Sequence, residues 1–441
     1  MELGTYDVVV VGSGAAGSSA AIASARLGAS TLLVEKLPFL GGNSTAVLDT
    51  FYGFFTPGDR PLKVVGGIGD DVVSGLESSG GVLRRPNTYG AGTGITYVAE
   101  HLKVVWETMV IASTCDVLLH AFVQDVTVRN GRISDLTIAT KAGLGRVSAR
   151  MVVDASGDAD VCHHAGFGYE LAGSHDPAQT LTTTFRMANV DNQRRAQISK
   201  DDLHALMAGA ADSGMYDLAR REGSDHATPI PFTTATVMTR VDQVEQRDGR
   251  LINATDPGLL TRAEMEGRRQ ALEFARFLVD RVPGYENASL VALSSQIGLR
   301  ETRRVYGDYR MTRDDVLSAR QFDDQIGLCG APIEDHHGGE GTGTTWEYLP
   351  EGETVGIPLG SLIVRDSVNT FVAGRCFSAS HDAQASIRSM AQCMAMGQAV
   401  GTAAAIAARG TGEARDVDRS ELLSRLALAG AILSIDEARL A

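Results

Sequence analysis

Residues 6 to 35 constrain this chain more than any other stretch. Tyr6 to Val11 is an apolar run, and Gly12-Ser13-Gly14-Ala15-Ala16-Gly17 follows it. An Ala-rich segment then extends to Leu27, and Thr31 to Glu35 is a second apolar run that ends in an acid. The order predicts strand, tight glycine turn, helix and strand, the unit that binds a dinucleotide. Gly12 permits the sharp turn, Gly14 lets the backbone approach a pyrophosphate, and Gly17 lets helix and strand pack closely. The helix N-terminus, opening with Ala15 and Ala16, offers unpaired N–H groups to the phosphates. Glu35 closes the second strand where a carboxylate holds a ribose diol, with Lys36 beside it. Glycine turns also precede helices that bind nothing. Here the strand, the small-residue helix and the acid all stand at the expected spacing, which points to an ADP-containing cofactor.

At 441 residues the chain exceeds what one core usually supports, so two domains are expected. A formal net charge of −14 argues against a nucleic-acid partner. Arg194-Arg195, Arg268-Arg269 and Arg303-Arg304 are isolated pairs, expected to be solvated. No stretch of membrane-spanning length lacks charges, so a soluble, cytoplasmic protein is expected. Cys115, Cys162, Cys329, Cys376 and Cys393 are odd in number and show no metal spacing, so reduced thiols and no metal site are expected.

Along the chain, Gly41-Gly42-Asn43-Ser44-Thr45 makes a second glycine turn that can reach the same pyrophosphate from the other side. Residues 46 to 95 read as loops and short helices, with Phe51, Tyr52, Phe54 and Phe55 more readily core than a stacking platform. Gly90 to Gly94 reads as a turn before a helix over Tyr97 to Ala112. Phe122 to Val128 and Arg132 to Thr140 flank Asn130-Gly131 as a hairpin. Val147 to Val153 reads as a strand running into Asp154-Ala155-Ser156-Gly157-Asp158. Strands are expected at Thr180 to Met187 and Pro231 to Thr239. A helix over Arg262 to Val282 is opened by Thr261 with Glu264. Asn369 to Gly374 gives one more strand, Arg375 to Ile387 a polar turn, and Arg388 to Ala408 a long helix of small residues. The expected organisation is a nucleotide domain over 1–165, an insert over 166–349 and a return segment over 350–441.

Three segments together carry a family likeness: residues 7 to 45, ARMVVDASGDADV at 149 to 161, and IGLRETRRVYGDY at 297 to 309 with NTFVAGRCFSASHDAQASIRSMAQCMAMGQAVGTAAA at 369 to 405. The chain resembles the FAD-dependent oxidoreductases of the glutathione-reductase-like superfamily, most closely the group related to fumarate reductase and succinate dehydrogenase flavoproteins. The resemblance implies an α/β fold, a Rossmann-like FAD-binding domain with an inserted α+β substrate domain. It implies extended FAD, with Gly12, Gly14, Ala15, Ala16 and Gly17 at the pyrophosphate and Glu35 and Lys36 at the adenosine ribose. Gly42, Asn43, Ser44 and Thr45 would line the ribityl and flavin side, Val123 the adenine, Ala155, Gly157 and Asp158 the diphosphate, and Gly374 the ribityl chain. The helix beginning near Ser389, with Gly397 along it, would aim its positive end at the flavin. Many relatives carry Asp where this chain has Arg375, which leaves the holder of the ribityl hydroxyls open. Asn43-Ser44-Thr45 occupies the place of the histidine that attaches FAD in some relatives, so non-covalent FAD is expected.

For the chemistry, His381 and Arg388 flank the entry to that helix and are the first candidates for proton carrier and anion clamp. His381 can equally be a turn histidine bonded to backbone. His336 and His337 can project from the insert or lie on a solvated loop, and Arg300, Arg303 and Arg304 can bind an acid or form an ion-paired face. Cys376 and Cys393 lie near the expected flavin and read as buried structural thiols. The expected activity is hydride transfer between a small organic substrate and FAD, with an unidentified electron donor or acceptor and homo-oligomerisation left open. The alternatives are an electron-transfer flavoprotein subunit and a flavin monooxygenase.

Overall fold

The computed structural model describes residues 1–85, 90–336 and 343–440. Strand β1 (Glu2–Val11), helix α1 (Ala15–Arg26) and strand β2 (Thr31–Val34) form where the glycine fingerprint places them. Val8 to Val11 are buried because β1 is an inner strand, pairing in parallel with β2 on one side and with Gly143–Asp154 on the other. Such two-sided burial explains the unbroken valine run. Beyond β2 the parallel strand Asp116–Leu118 forms one edge.

The long strand Gly143–Asp154 divides its second side between two partners. Its first half takes the hairpin Phe122–Arg129 and Arg132–Thr140, and its last three residues take the return strand Thr370–Val372 in parallel. Asn130 at φ 50° and Gly131 at φ 75° supply the two left-handed positions of the hairpin turn. The parallel strands all run toward one edge, where Val11, Val34, Asp154 and Val372 end. A crevice at that edge is where open α/β sheets bind ligands.

Helix Met390–Arg409 packs along α1, and small residues set the distance. A Cβ built on Gly397 would lie 2.0 Å from Ala16 O, and one on Gly401 would lie 2.2 Å from Ala20 O. Two glycines one helical turn apart thus let a backbone lie against a backbone.

The insert builds a four-stranded antiparallel sheet in the order Ser224–Ala227, Thr233–Val237, Phe185–Ala188, Ser289–Leu293. Helix Pro257–Arg281 covers it through Phe274, Phe277 and Leu278, which join Phe185, Met187 and Tyr285 in a separate core. The helix starts earlier than Thr261: Asp256 caps it by accepting from Leu259 N at 2.8 Å, and Pro257 follows at the first turn. From Val305 onward the apolar side chains rejoin the larger core, ahead of the expected boundary at 349.

Three further stretches depart from expectation. Residues 46 to 95 carry the expected helix, Ile68–Ser78, and buried Phe51 and Phe54, but also an unexpected small sheet of Thr50–Phe51, Gly94–Tyr97 and Val82–Arg85. The polar segment after Arg375 contains a helix, His381–Ile387, capped by Ser380. Arg303 and Arg304 are not solvated; they lie on the short strand Arg303–Val305, and Arg304, 2% exposed, sits between Glu170 and Glu301. Two carboxylates flank that guanidinium, so the charge taken out of water there is paired.

Candidate active site

One cavity of about 610 Å³ opens at the carboxyl edge of the sheet and runs from the glycine fingerprint into the insert. Its outer part is lined by Gly12, Ser13, Gly14, Ala15, Ala16, Glu35, Lys36, Val123, Ala155, Gly157 and Asp158. Gly14 has nothing within 4 Å of where its Cβ would stand, so the space above it is left open. Helix α1 has no side-chain cap, and its first N–H groups face that space. Gly12 instead meets Ala155 O at 2.5 Å from its Cβ position, and Gly42 meets Gly14 Cα at 2.9 Å. Gly12 and Gly42 thus pack against backbone, while the space over Gly14 is left for a pyrophosphate.

Glu35 is fixed by Ser13, whose N and Oγ donate to Oε2 at 2.7 and 2.6 Å, and by Leu37 N, which donates to Oε1 at 2.8 Å. Its carboxylate keeps acceptor capacity for a diol. Arg375 lies across the Ala155–Asp158 turn, donating from Nε to Gly157 O at 3.1 Å and from Nη2 to Asp158 Oδ1 at 2.6 Å. Burial would raise the Asp158 carboxyl, but Arg375 and Lys36 hold it below its ordinary range. The position held by Asp in many relatives is thus an arginine paired with a nearby aspartate.

Gly42, Asn43 and Ser44 line the cavity, and so do Gly374, Ser389 and Met390 at the start of the long helix. Asn43 Nδ2 donates to Leu299 O at 3.1 Å, which ties the second glycine turn to the insert. Three expected cofactor contacts do not line the cavity. Gly17 lies against Gly12 O, 1.7 Å from where its Cβ would stand. Thr45 donates to Leu40 O at 2.7 Å and holds the turn. Gly397 serves helix packing. All three shape the cradle from behind.

The inner part is charged. Arg388, between the two helices, donates from Nη2 to Gln179 Oε1 at 2.8 Å and Glu334 O at 3.2 Å. Arg300 donates from Nη1 to Thr180 O at 2.6 Å and Thr182 Oγ1 at 2.9 Å. Arg85 donates to Thr96, Thr50 and Tyr52 hydroxyls. Among the described residues none of these three arginines has an ion pair with a carboxylate. Burial, and then the charge of Arg388, lowers Arg300 to about 9. Burial also lowers Arg388.

His336 is in the strand Ile333–His336, not a loop, and lines this chamber. Its Nε2 lies 3.1 Å from Glu334 Oε1 and its Nδ1 3.1 Å from Thr344 Oγ1. Burial and the Arg300 charge push it down to about 3, so it is neutral. Glu334, despite burial, is held down to about 2 by His336, Arg388 and Arg300, so it is ionised. His337 and the glycine-rich stretch after it lie outside the described residues.

His381, expected as the proton carrier, stands away from the cavity. It is 3% exposed and sits between two acids. Nδ1 lies 3.0 Å from Glu301 Oε1 and Nε2 3.1 Å from Asp335 Oδ2. Burial works against the charged form, yet the hydrogen bonds and charges of Asp335 and Glu301 raise it to about 10. It is a fixed imidazolium that ties helix His381–Ile387 to the strand of Glu334 and to the buried Arg304 pair. The sequence reading missed this because the two acids lie far away along the chain.

The residues it overlooked are Asp49, Tyr52 as a cavity residue, Arg85 and His226. Nothing short of the insert's folding brings His226 to Asp49. All five thiols are free and buried, and burial pushes the one that lines the cavity, Cys393, up to about 12. Among the described residues no cluster of three or more potential metal ligands occurs, and no helix is long and apolar enough to cross a membrane.

A family model described as FAD dependent oxidoreductase matches residues 7–426. Digeranylgeranylglycerophospholipid reductase of Thermoplasma acidophilum is 29% identical over 193 residues, 42% of this chain and 48% of that protein. The chain thus spans about half the length of the curated relatives it matches first. Fumarate reductase (cytochrome) of Shewanella frigidimarina is 60% identical over 60 residues, 14% of this chain and 10% of that protein. A geranylgeranyl bacteriochlorophyll reductase-like crystal structure from Thermoplasma acidophilum superposes with a TM-score of 0.46 at 15% identity, covering 96% of this chain and 82% of the other.

Proposed function

The chain belongs to the FAD dependent oxidoreductase family, and from that premise we propose that it exchanges a hydride between non-covalently bound FAD and a small organic anion. FAD, when bound, supplies the two-electron acceptor or donor. Gly12, Gly14, Ala15 and Ala16 would hold its pyrophosphate and Glu35 its ribose. The substrate would occupy the inner chamber, between Asn43, Ser389 and the insert.

One observation carries the anionic assignment: Arg300 and Arg388, both half-buried, line the same chamber, and among the described residues neither has an ion pair with a carboxylate. Two neighbouring guanidiniums favour a negatively charged guest, because the carboxylates that act on them, Glu334 on both and Glu301 and Asp335 on Arg388, make no ion-pair contact with them among the described residues. Arg388 would clamp a carboxylate with its planar fork, and Arg300 would add the second positive charge. Neutral His336 and ionised Glu334 would orient Arg388 rather than pass protons. This chamber favours a substrate-transforming enzyme over a flavoprotein that only relays electrons.

Benzoate is a suitable probe, because an anion beside bound flavin perturbs the absorbance spectrum. Benzoate should bind the oxidised, FAD-loaded protein and benzamide should not. Arg388→Met and Arg300→Met should each weaken benzoate by roughly ten- to hundredfold, the scale of one charge-assisted hydrogen bond, with FAD content unchanged. Equal binding of benzamide, or unaltered benzoate affinity in both variants, would rule the anion clamp out.

A further inference from the structure

When a hydride leaves or joins a carbon bonded to oxygen or nitrogen, one proton must move at the heteroatom as well. The chamber must therefore hold a group that trades a proton near neutrality. His381 is outside it and, raised to about 10 by Asp335 and Glu301, holds its proton near neutrality. His336 is inside it, but both its nitrogens are engaged and it is pushed down to about 3. The Nε2 of His204 faces Gly223 O at 3.1 Å. His226 differs from all of these. It lines the cavity from the strand Ser224–Ala227, its Nε2 lies 3.0 Å from Asp49 Oδ1, and its Nδ1 has no hydrogen-bond partner among the described residues.

We propose that His226, oriented by Asp49, is the proton-exchanging group of this site. The inference rests on the hydride-exchange reading above. Asp49 is 5% exposed and precedes the strand Thr50–Phe51; its backbone carbonyl accepts from Tyr97 N at 2.8 Å. The carboxylate is thus anchored on one sheet and the imidazole on another, 177 residues apart in sequence. Burial would raise the Asp49 carboxyl, but His226, Arg186 and Arg85 hold it below its ordinary range. As an anion it accepts Nε2–H, which leaves the lone pair on Nδ1, the nitrogen without a protein partner.

In the oxidative direction bound FAD would supply the acceptor for the hydride and its two electrons leaving the substrate carbon. The O–H or N–H proton on the heteroatom bonded to that carbon would pass to His226 Nδ1 as the C=O or C=N bond forms. The imidazolium, stabilised by Asp49, then returns that proton to solvent. In the reductive direction each transfer reverses. Asp49 acts only through His226 and is a positioning residue. The charged groups around the pair are Arg85 and Arg186, with Glu222 nearby on the insert segment that leads into the histidine strand.

The experiment measures benzoate affinity of the FAD-loaded protein as a function of pH. A proton taken up by His226 adds a cation to the chamber, so benzoate should tighten by about tenfold on acidification. Glu334 and Arg300, at about 2 and about 9, keep their charges around neutrality. In His226→Gln the dependence should be flat, and in Asp49→Asn the step should move to lower pH because the imidazolium has lost its partner. The same step in wild type and His226→Gln would overturn the proposal. A second arm needs no ligand: diethyl pyrocarbonate should modify His226, mapped by mass spectrometry, and spare His336 and His381. If benzoate binds at no pH, the anion reading fails and this arm alone decides; an unreactive His226 would overturn the proposal there too.

Discussion

Gly14→Val should give a folded protein that no longer binds FAD. The backbone at Gly14 has φ −58°, a conformation any residue adopts, and nothing stands within 4 Å of the new Cβ. Valine can therefore be accommodated without disturbing β1 or α1. Its methyl groups would occupy the space over which the pyrophosphate must lie against backbone N–H groups. The affinity for FAD should fall by roughly a hundredfold or more, the cost of losing several charge-assisted contacts at once. The apparent Tm should match that of wild type stripped of FAD and lie below that of the loaded protein, because ligand binding stabilises the native state. Flavin absorbance after reconstitution, with thermal unfolding of the same samples, checks both halves.

Gly397→Val should do the reverse and destroy the fold, although the residue does not line the cavity. The residue stands where Met390–Arg409 touches α1, and its Cβ would fall 2.0 Å from Ala16 O, inside any allowed separation. Neither backbone can retreat cheaply, since Gly401 makes the same contact one turn further along. Overpacking at a backbone-to-backbone contact belongs to the severe tail of single substitutions, about 4 kcal/mol or more. Most of the variant should be recovered as insoluble protein. A soluble fraction, if obtained, should unfold at much lower urea and regain only part of that stability with excess FAD. Equal soluble yield and an unchanged urea midpoint would contradict the packing role.

The contrast between these glycines shows what the sequence could and could not reveal. The strand, turn and helix around Gly12, Gly14 and Gly17 are legible because they are contiguous and local spacing dictates them. Gly397 has no such neighbours; its role is set by a helix that pairs with α1 across most of the chain, and a cofactor contact was the natural expectation. The Asn130-Gly131 hairpin was legible for the same local reason. Arg303 and Arg304 were expected either solvated or on an ion-paired face; Glu301 was a local partner, three residues from Arg304, whereas Glu170 and Asp160 lie more than 130 residues away along the chain and gave no sign in the sequence. The helix cap moved from Thr261 to Asp256 because Asp-Pro forms a complete start one turn earlier. In the candidate site, Arg388 was found through its place beside the flavin-facing helix. His226 carried no signal: a histidine in a short polar strand acquires meaning only when Asp49 is brought to it.

The account's central claim is that the cavity joins an FAD cradle to a chamber for a small organic anion that exchanges a hydride with the flavin. Its most direct test is the absorbance of the FAD-loaded protein, kept anaerobic and mixed in turn with carboxylate-bearing alcohols and amines and with the methyl ester of each. The account predicts that at least one acid bleaches the oxidised flavin band and that its methyl ester fails to do so. Bleaching by an ester as fast as by its acid, or by neutral compounds alone, would contradict it.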